Sequence, residues 1–164
     1  MNADYGGIIA AVAGVLKADA TLTGTSGLLA NYGPTGATPS RANSVFYPEP
    51  PADRVFPCIT LWDLATGAAL PRQHDTPMTL VRMSLQISVW GASQSLRPIC
   101  TEIDTLLETA YRAGAMDTAQ WQFNDIDTRG PWHTIAVPRE LTGGSVPIEQ
   151  RAKVFVVVTA NKTL

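Results

Sequence analysis

The chain has 164 residues, 45% of them hydrophobic and 16% charged, a length that predicts one domain with one core. Twelve basic against fourteen acidic side chains leave a net charge of -2, which weighs against nucleic acid as the main partner because phosphate binding needs a clustered positive field. No apolar run has the ~18–20 residues of a membrane span, no basic region precedes an apolar stretch as in a secretory signal, and Cys58 and Cys100 stand apart as two expected buried free thiols.

Residues 4–19 open with a helical pattern, Ile8, Val12, Val15 and Leu16 recurring on one face, with Asp4 as the expected N-cap and alanines elsewhere. Residues 21–44 are rich in Thr, Gly, Ser, Asn and Pro, and read as a long loop anchored by Leu22, Leu28, Leu29 and Tyr32, with at most one short turn of structure. Residues 45–47 suit a short strand, and residues 56–63 a second, with Pro57 near its start, where a missing donor is tolerated. Residues 64–77 read as another long connection with a mixed-charge tip at Arg72, His74 and Asp75.

The strongest periodic signal lies at residues 78–90. Val81, Met83, Leu85, Ile87 and Val89 alternate with Arg82, Ser84, Gln86 and Ser88, the period of a half-buried strand that forms a long hairpin with the strand before it. After Gly91 the period changes: Leu96, Ile99, Cys100, Ile103, Leu106, Leu107, Ala110 and Tyr111 form a 3.6-residue stripe. Ser93 or Ser95 is the expected cap, with Pro98 in the first turn and Gly114 at the end. Strands are predicted over 121–127, 132–141 and 151–161, the last central because both of its faces are apolar or nearly so. The order predicts an α+β domain: a mixed, mainly antiparallel sheet with a long hairpin and two helices packed on one face.

The search for chemistry yields little. His74 with Asp75 lies on a polar loop, where neighbours in sequence rarely face each other, and His133 reads as a strand-face residue. Neither metal ligation nor a cofactor site is expected, since no cluster of three or four ligand types and no phosphate-cradling motif is present. Asp125 and Asp127 share a strand face, as a carboxylate pair in a glycosidase might, but a solvated face or an interface ion pair accounts for them more simply. No catalytic residue is assigned. Four tryptophans, and nine arginines against three lysines, suit a chain that docks on other proteins, because Trp and Arg dominate interface hot spots.

Several pieces in order resemble the tail-terminator, or tail-completion, family of long-tailed bacteriophages and related phage-like particles. They are the N-terminal helix ending Val15-Leu16-Lys17-Ala18-Asp19, the Phe56-Pro57-Cys58-Ile59 strand, and Leu85-Gln86-Ile87-Ser88-Val89-Trp90-Gly91 running into the second helix. The terminal strand at 155–159 fits as well, whereas residues 21–44 and 64–77 match nothing specific. The resemblance implies a non-enzymatic subunit of a virion ring, expected to be hexameric. The ring sits on the head-proximal end of the tail tube, stops its polymerisation and joins it to the head connector. It also implies homo-oligomer contacts, a tube-protein partner, a connector partner and a lumen through which DNA passes without specific binding, with no membrane involved. Interface contacts are expected from Arg72, His74 and Asp75 on one loop and from Tyr32 and Arg41 on the other. Two alternatives stand beside this reading: a head-side connector, stopper or tail-tube protein, and a small α+β enzyme or ligand-binding domain, which would need a concave site with convergent polar groups.

Overall fold

A computed structural model describes residues 6–33, 44–47, 54–69, 80–136 and 148–162, with residues 65–69 and 136 described as backbone. In chain order the elements are α1 (Gly6–Ala18), α2 (Ala20–Thr23), α3 (Leu28–Asn31), β1 (Val45–Phe46), β2 (Cys58–Ala69), β3 (Leu80–Gly91), α4 (Ser93–Arg112), β4 (Trp121–Asp127), β5 (His133–Ala136) and β6 (Glu149–Asn161).

The predicted α+β architecture is present. The six strands form one sheet in the order β1-β2-β3-β6-β4, with β5 also paired to β6. Only β1 on β2 is parallel; every other pairing is antiparallel. The alternation in β3 divides the two faces. Val81, Met83, Leu85, Ile87 and Val89 are fully buried, and across the ladder they sit beside Thr159, Val157, Phe155, Lys153 and Arg151 of β6. This face packs on the helices: α1 touches β1 and β2, while α4 touches β3, β4 and β6. Ile8, Val12 and Leu16 of α1 and Leu96, Ile99, Ile103 and Leu107 of α4 complete a single core. At about 2 kcal/mol for each fully buried Leu, Ile or Val side chain, this interlayer contact is the main stabilising term of the fold.

Three local expectations need correction, and a fourth is met in part within the described residues. Within the stretch read as loop, two short helices form: Asp19 accepts a hydrogen bond from the Leu22 amide at 3.0 Å and caps α2, and Leu22 and Leu29 reach the core. The segment from Leu64 to Ala69 belongs to β2 rather than to a connection; bulges after Asp63 and Ala65 keep it paired to β3 as far as Ala69↔Val81. The predicted strand at 132–141 appears as β5, and residues 137–141 of it lie outside the described residues. In α4 the N-cap is Ala92, without a side-chain bond; Ser95 instead donates its hydroxyl to the Ala92 carbonyl at 2.7 Å, and Pro98 lies in the second turn. Asp4, the expected cap of α1, lies outside the described residues.

Candidate functional site

The sheet's second face is bare of helices among the described residues. Thr60 and Trp62 of β2, Arg82, Ser84, Gln86, Ser88 and Trp90 of β3, and Ala152, Val154, Val156 and Val158 of β6 share it by register. At one end its polar groups bind one another. The indole N–H groups of Trp90 and Trp62 both donate to the Thr60 hydroxyl, at 3.0 and 3.3 Å, and the Gln86 and Gln150 amides both donate to Ser88, at 3.1 and 3.0 Å. Thr60 and Ser88 are fully buried beneath these side chains. Toward β6 the face turns apolar, with Val154 and Ile135 exposed beside each other's strands.

The edges of the sheet are arranged unequally. At one end β1 covers β2 at Ile59 and Thr60, and β5 covers β6 at residues 149–152. At the other end residues 65–69 of β2 and all of β4 carry no further strand among the described residues. These two open edges lie at one level. Reading across the sheet, Ala65 stands in line with Ser84, Val156 and Asp127; Ala68 with Arg82, Val158 and Asp125; Ala69 with Val81, Thr159 and Phe123. Along β2, β3, β6 and β4 the strands alternate strictly in direction.

Helix α4 holds β6 through a charged cluster at Lys153, between the stretches paired to β5 and to β4. Lys153, 4% exposed, places its ammonium 2.8 Å from Asp104 Oδ1, while the Trp132 indole donates to Asp104 Oδ2 at 3.0 Å. The ammonium also stands over the Trp132 ring, 5.7 Å from its centroid. Trp132 arrives there because the edge strand breaks between β4 and β5, where a Cβ on Gly130 would meet the Val154 carbonyl at 3.2 Å. Neighbouring Cys100 has its thiol pushed up to about 12, mainly by burial.

Of the residues expected to make contacts, Tyr32 is the C-cap of α3 and 40% exposed; Arg41, Arg72, His74 and Asp75 lie outside the described residues. Asp125 and Asp127 do share the bare face, on the open edge strand. Asp127 is held down at about 2, first by its side-chain hydrogen bonds from Arg129, so it is an ion-pair partner rather than a proton donor at neutral pH. His133 is an exposed strand residue of β5, and Cys58 and Cys100 are buried and form no disulfide. No group of three or more His, Cys, Asp or Glu side chains converges as a metal site among the described residues, and no single helix among them is long and apolar enough to cross a membrane. Sequence reading missed the open β2 edge, because residues 64–69, Leu-Ala-Thr-Gly-Ala-Ala, lack the alternation and β-branched content that mark a strand. In comparisons with known proteins, no family model and no curated protein matches the chain.

Proposed function

We propose that this protein is a ring-forming virion subunit that caps the head-proximal end of a tail tube and joins it to the head connector. The observation that carries the reading is the pair of level edges, open among the described residues, on a strictly alternating sheet. A second copy whose β2 lies beside β4 continues the antiparallel order without reversing a strand, a head-to-tail contact of the kind that sixfold rotation closes into a ring. Six copies, the number implied by the family resemblance, bring about 115 Å of circumference from four strands each at ~4.8 Å spacing, a ring about 37 Å across between backbones. Strand tilt widens it further. The helices are the bulkier layer and occupy the outside of such a ring, where circumference is greater, so the bare sheet face lines the lumen.

That lumen suits passage of DNA without capture. On its described positions the charges are Arg82, Asp125 and Asp127, the last already paired with Arg129, so no basic field is offered to phosphates. The ring needs no catalytic group. Electron microscopy of purified tail tubes mixed with the protein tests the reading. A ring at one end only, with tube growth stopped, is the expected result. Binding to filled heads while tubes keep growing moves the protein to the head-side connectors, and binding to neither removes the ring reading.

A further inference from the structure

The helix layer carries a surface that the ring contacts leave unused. The solvent-facing positions of α1 are Gly6, Ala10, Gly14, Lys17 and Ala18, a single charge where an exposed helix ordinarily carries several. Beside them a groove of about 500 Å³ runs between α1 and α4, lined by Ala11, Gly14, Val15, Leu106, Ala110 and Met116. The small side chains leave room for a third helix to approach both, and a Cβ on Gly14 would meet no atom within 4 Å. Two aspartates line the groove, Asp19 and Asp117, the second with the Lys162 ammonium 3.9 Å away. Glu102, one turn before Leu106, has its carboxyl raised by burial and by the charge of Asp19. No lysine or arginine lines the groove, and neither Asp19 nor Glu102 has an ion pair among the described residues.

We infer that the groove between α1 and α4 is a docking site for an amphipathic helix of a second, different protein, whose apolar face fills it and whose lysine or arginine side chain answers Asp19 and Glu102. Apolar anchoring in a helical groove supplies the affinity, and the unbalanced carboxylates select a basic over an acidic helix. That the partner is a different protein rests on the ring reading, in which copies of this chain meet through sheet edges. The chemistry of the groove does not depend on it.

The test uses the full chain and a synthetic amphipathic helix of leucine and lysine, with a helix of leucine and glutamate as comparison, followed by fluorescence anisotropy. The basic helix is expected to bind at least tenfold tighter than the acidic one. Gly14→Leu, which fills the groove without changing charge, and Glu102→Lys, which reverses the charge at its margin, are each expected to weaken binding at least tenfold. Unchanged circular dichroism and melting show that both variants fold. Equal binding of the two helices, binding of neither, or binding that survives both substitutions overturns the inference. The variants are then mixed with tail tubes and filled heads. A Gly14→Leu protein that still forms the ring but loses a tube or head contact supports a foreign partner. Loss of the ring itself overturns it by assigning the groove to a second copy. A wild-type protein that forms no ring on tubes sinks the ring reading, while the peptide result still decides the groove.

Discussion

Thr159 stands among the core-facing residues of β6 with 0% exposure, and its hydroxyl has no hydrogen-bond partner among the described residues. A buried hydroxyl left unpaired costs about 1–3 kcal/mol, and valine has the same shape without the cost. Thr159→Val is therefore expected to stabilise the protein by about 1 kcal/mol in urea denaturation. Thr23→Val should do the reverse by a similar amount, because its hydroxyl lies 2.8 Å from the Lys17 carbonyl and 3.0 Å from that of Asp19. Cys100 gives a pH-dependent counterpart. Its thiol holds its proton up to about 12 in the fold but releases it near its ordinary value of 9.0 once unfolded. Above the unfolded value the unfolded chain binds fewer protons than the native one, so stability falls as pH rises through that window and is unaffected below it. Denaturation midpoints at pH 7.5 and 10.5 should differ more for the wild type than for Cys100→Val; an equal difference would remove the thiol from the account. Both residues show why sequence reading stops short at this scale. Alternation placed Thr159 on the last strand and the helical stripe placed Cys100 on α4, but neither pattern specifies whether a polar atom finds a partner.

Among the elements, β6 is the one held from three sides: by β3 along its length, by β4 and β5 on its other edge, and by α4 through Asp104. The Asp104–Lys153 pair is asymmetric, the lysine side chain 5% exposed and the aspartate 36%. Removing the aspartate leaves a buried ammonium with an aromatic ring but no counter-ion. Asp104→Ala is therefore expected to cost about 2–3 kcal/mol, below the usual range for a fully buried pair because water reaches the site. Lys153→Met replaces the charge with an apolar chain of similar length and should cost less than half as much, read as denaturant midpoints. If the two variants lose equal stability, the cluster acts through packing alone. Element type was legible wherever the period was long: β3 at 80–91 and α4 at 93–112 follow directly from their alternation and stripe. The Asp104–Lys153–Trp132 cluster was not legible, since its members come from a helix, a break in an edge strand and a central strand. Nor were α2 and α3, each four residues long, because their existence depends on the Asp19 cap and on two leucines buried by tertiary contact.

At the scale of the whole molecule, the sheet presents two edges that are open among the described residues, and such edges invite aggregation. Monomeric proteins blunt such edges with lysine, proline or a bulge. Here the β2 edge has bulges after Asp63 and Ala65 but a half-exposed Leu64 between them and no lysine along residues 58–69. The β4 edge is acidic, with Asp125 and Asp127. The two edges are unlike, so in the proposed ring β4 of one copy would be directed to β2 of the next, and closure would use up both. A charge on the receiving edge should then block assembly without disturbing the fold. Leu64→Lys places a lysine where the side chain is 50% exposed, so its effect on monomer stability is expected within about 0.5 kcal/mol. Beside purified tail tubes the variant should remain a folded monomer by native mass spectrometry and leave tube ends bare, where the wild type forms a cap. Rings that persist with Leu64→Lys would show that the β2 edge is not the contact. Loss of rings together with loss of melting cooperativity would instead place Leu64 in the stability of the hairpin, a distinction that circular dichroism of the same sample makes directly.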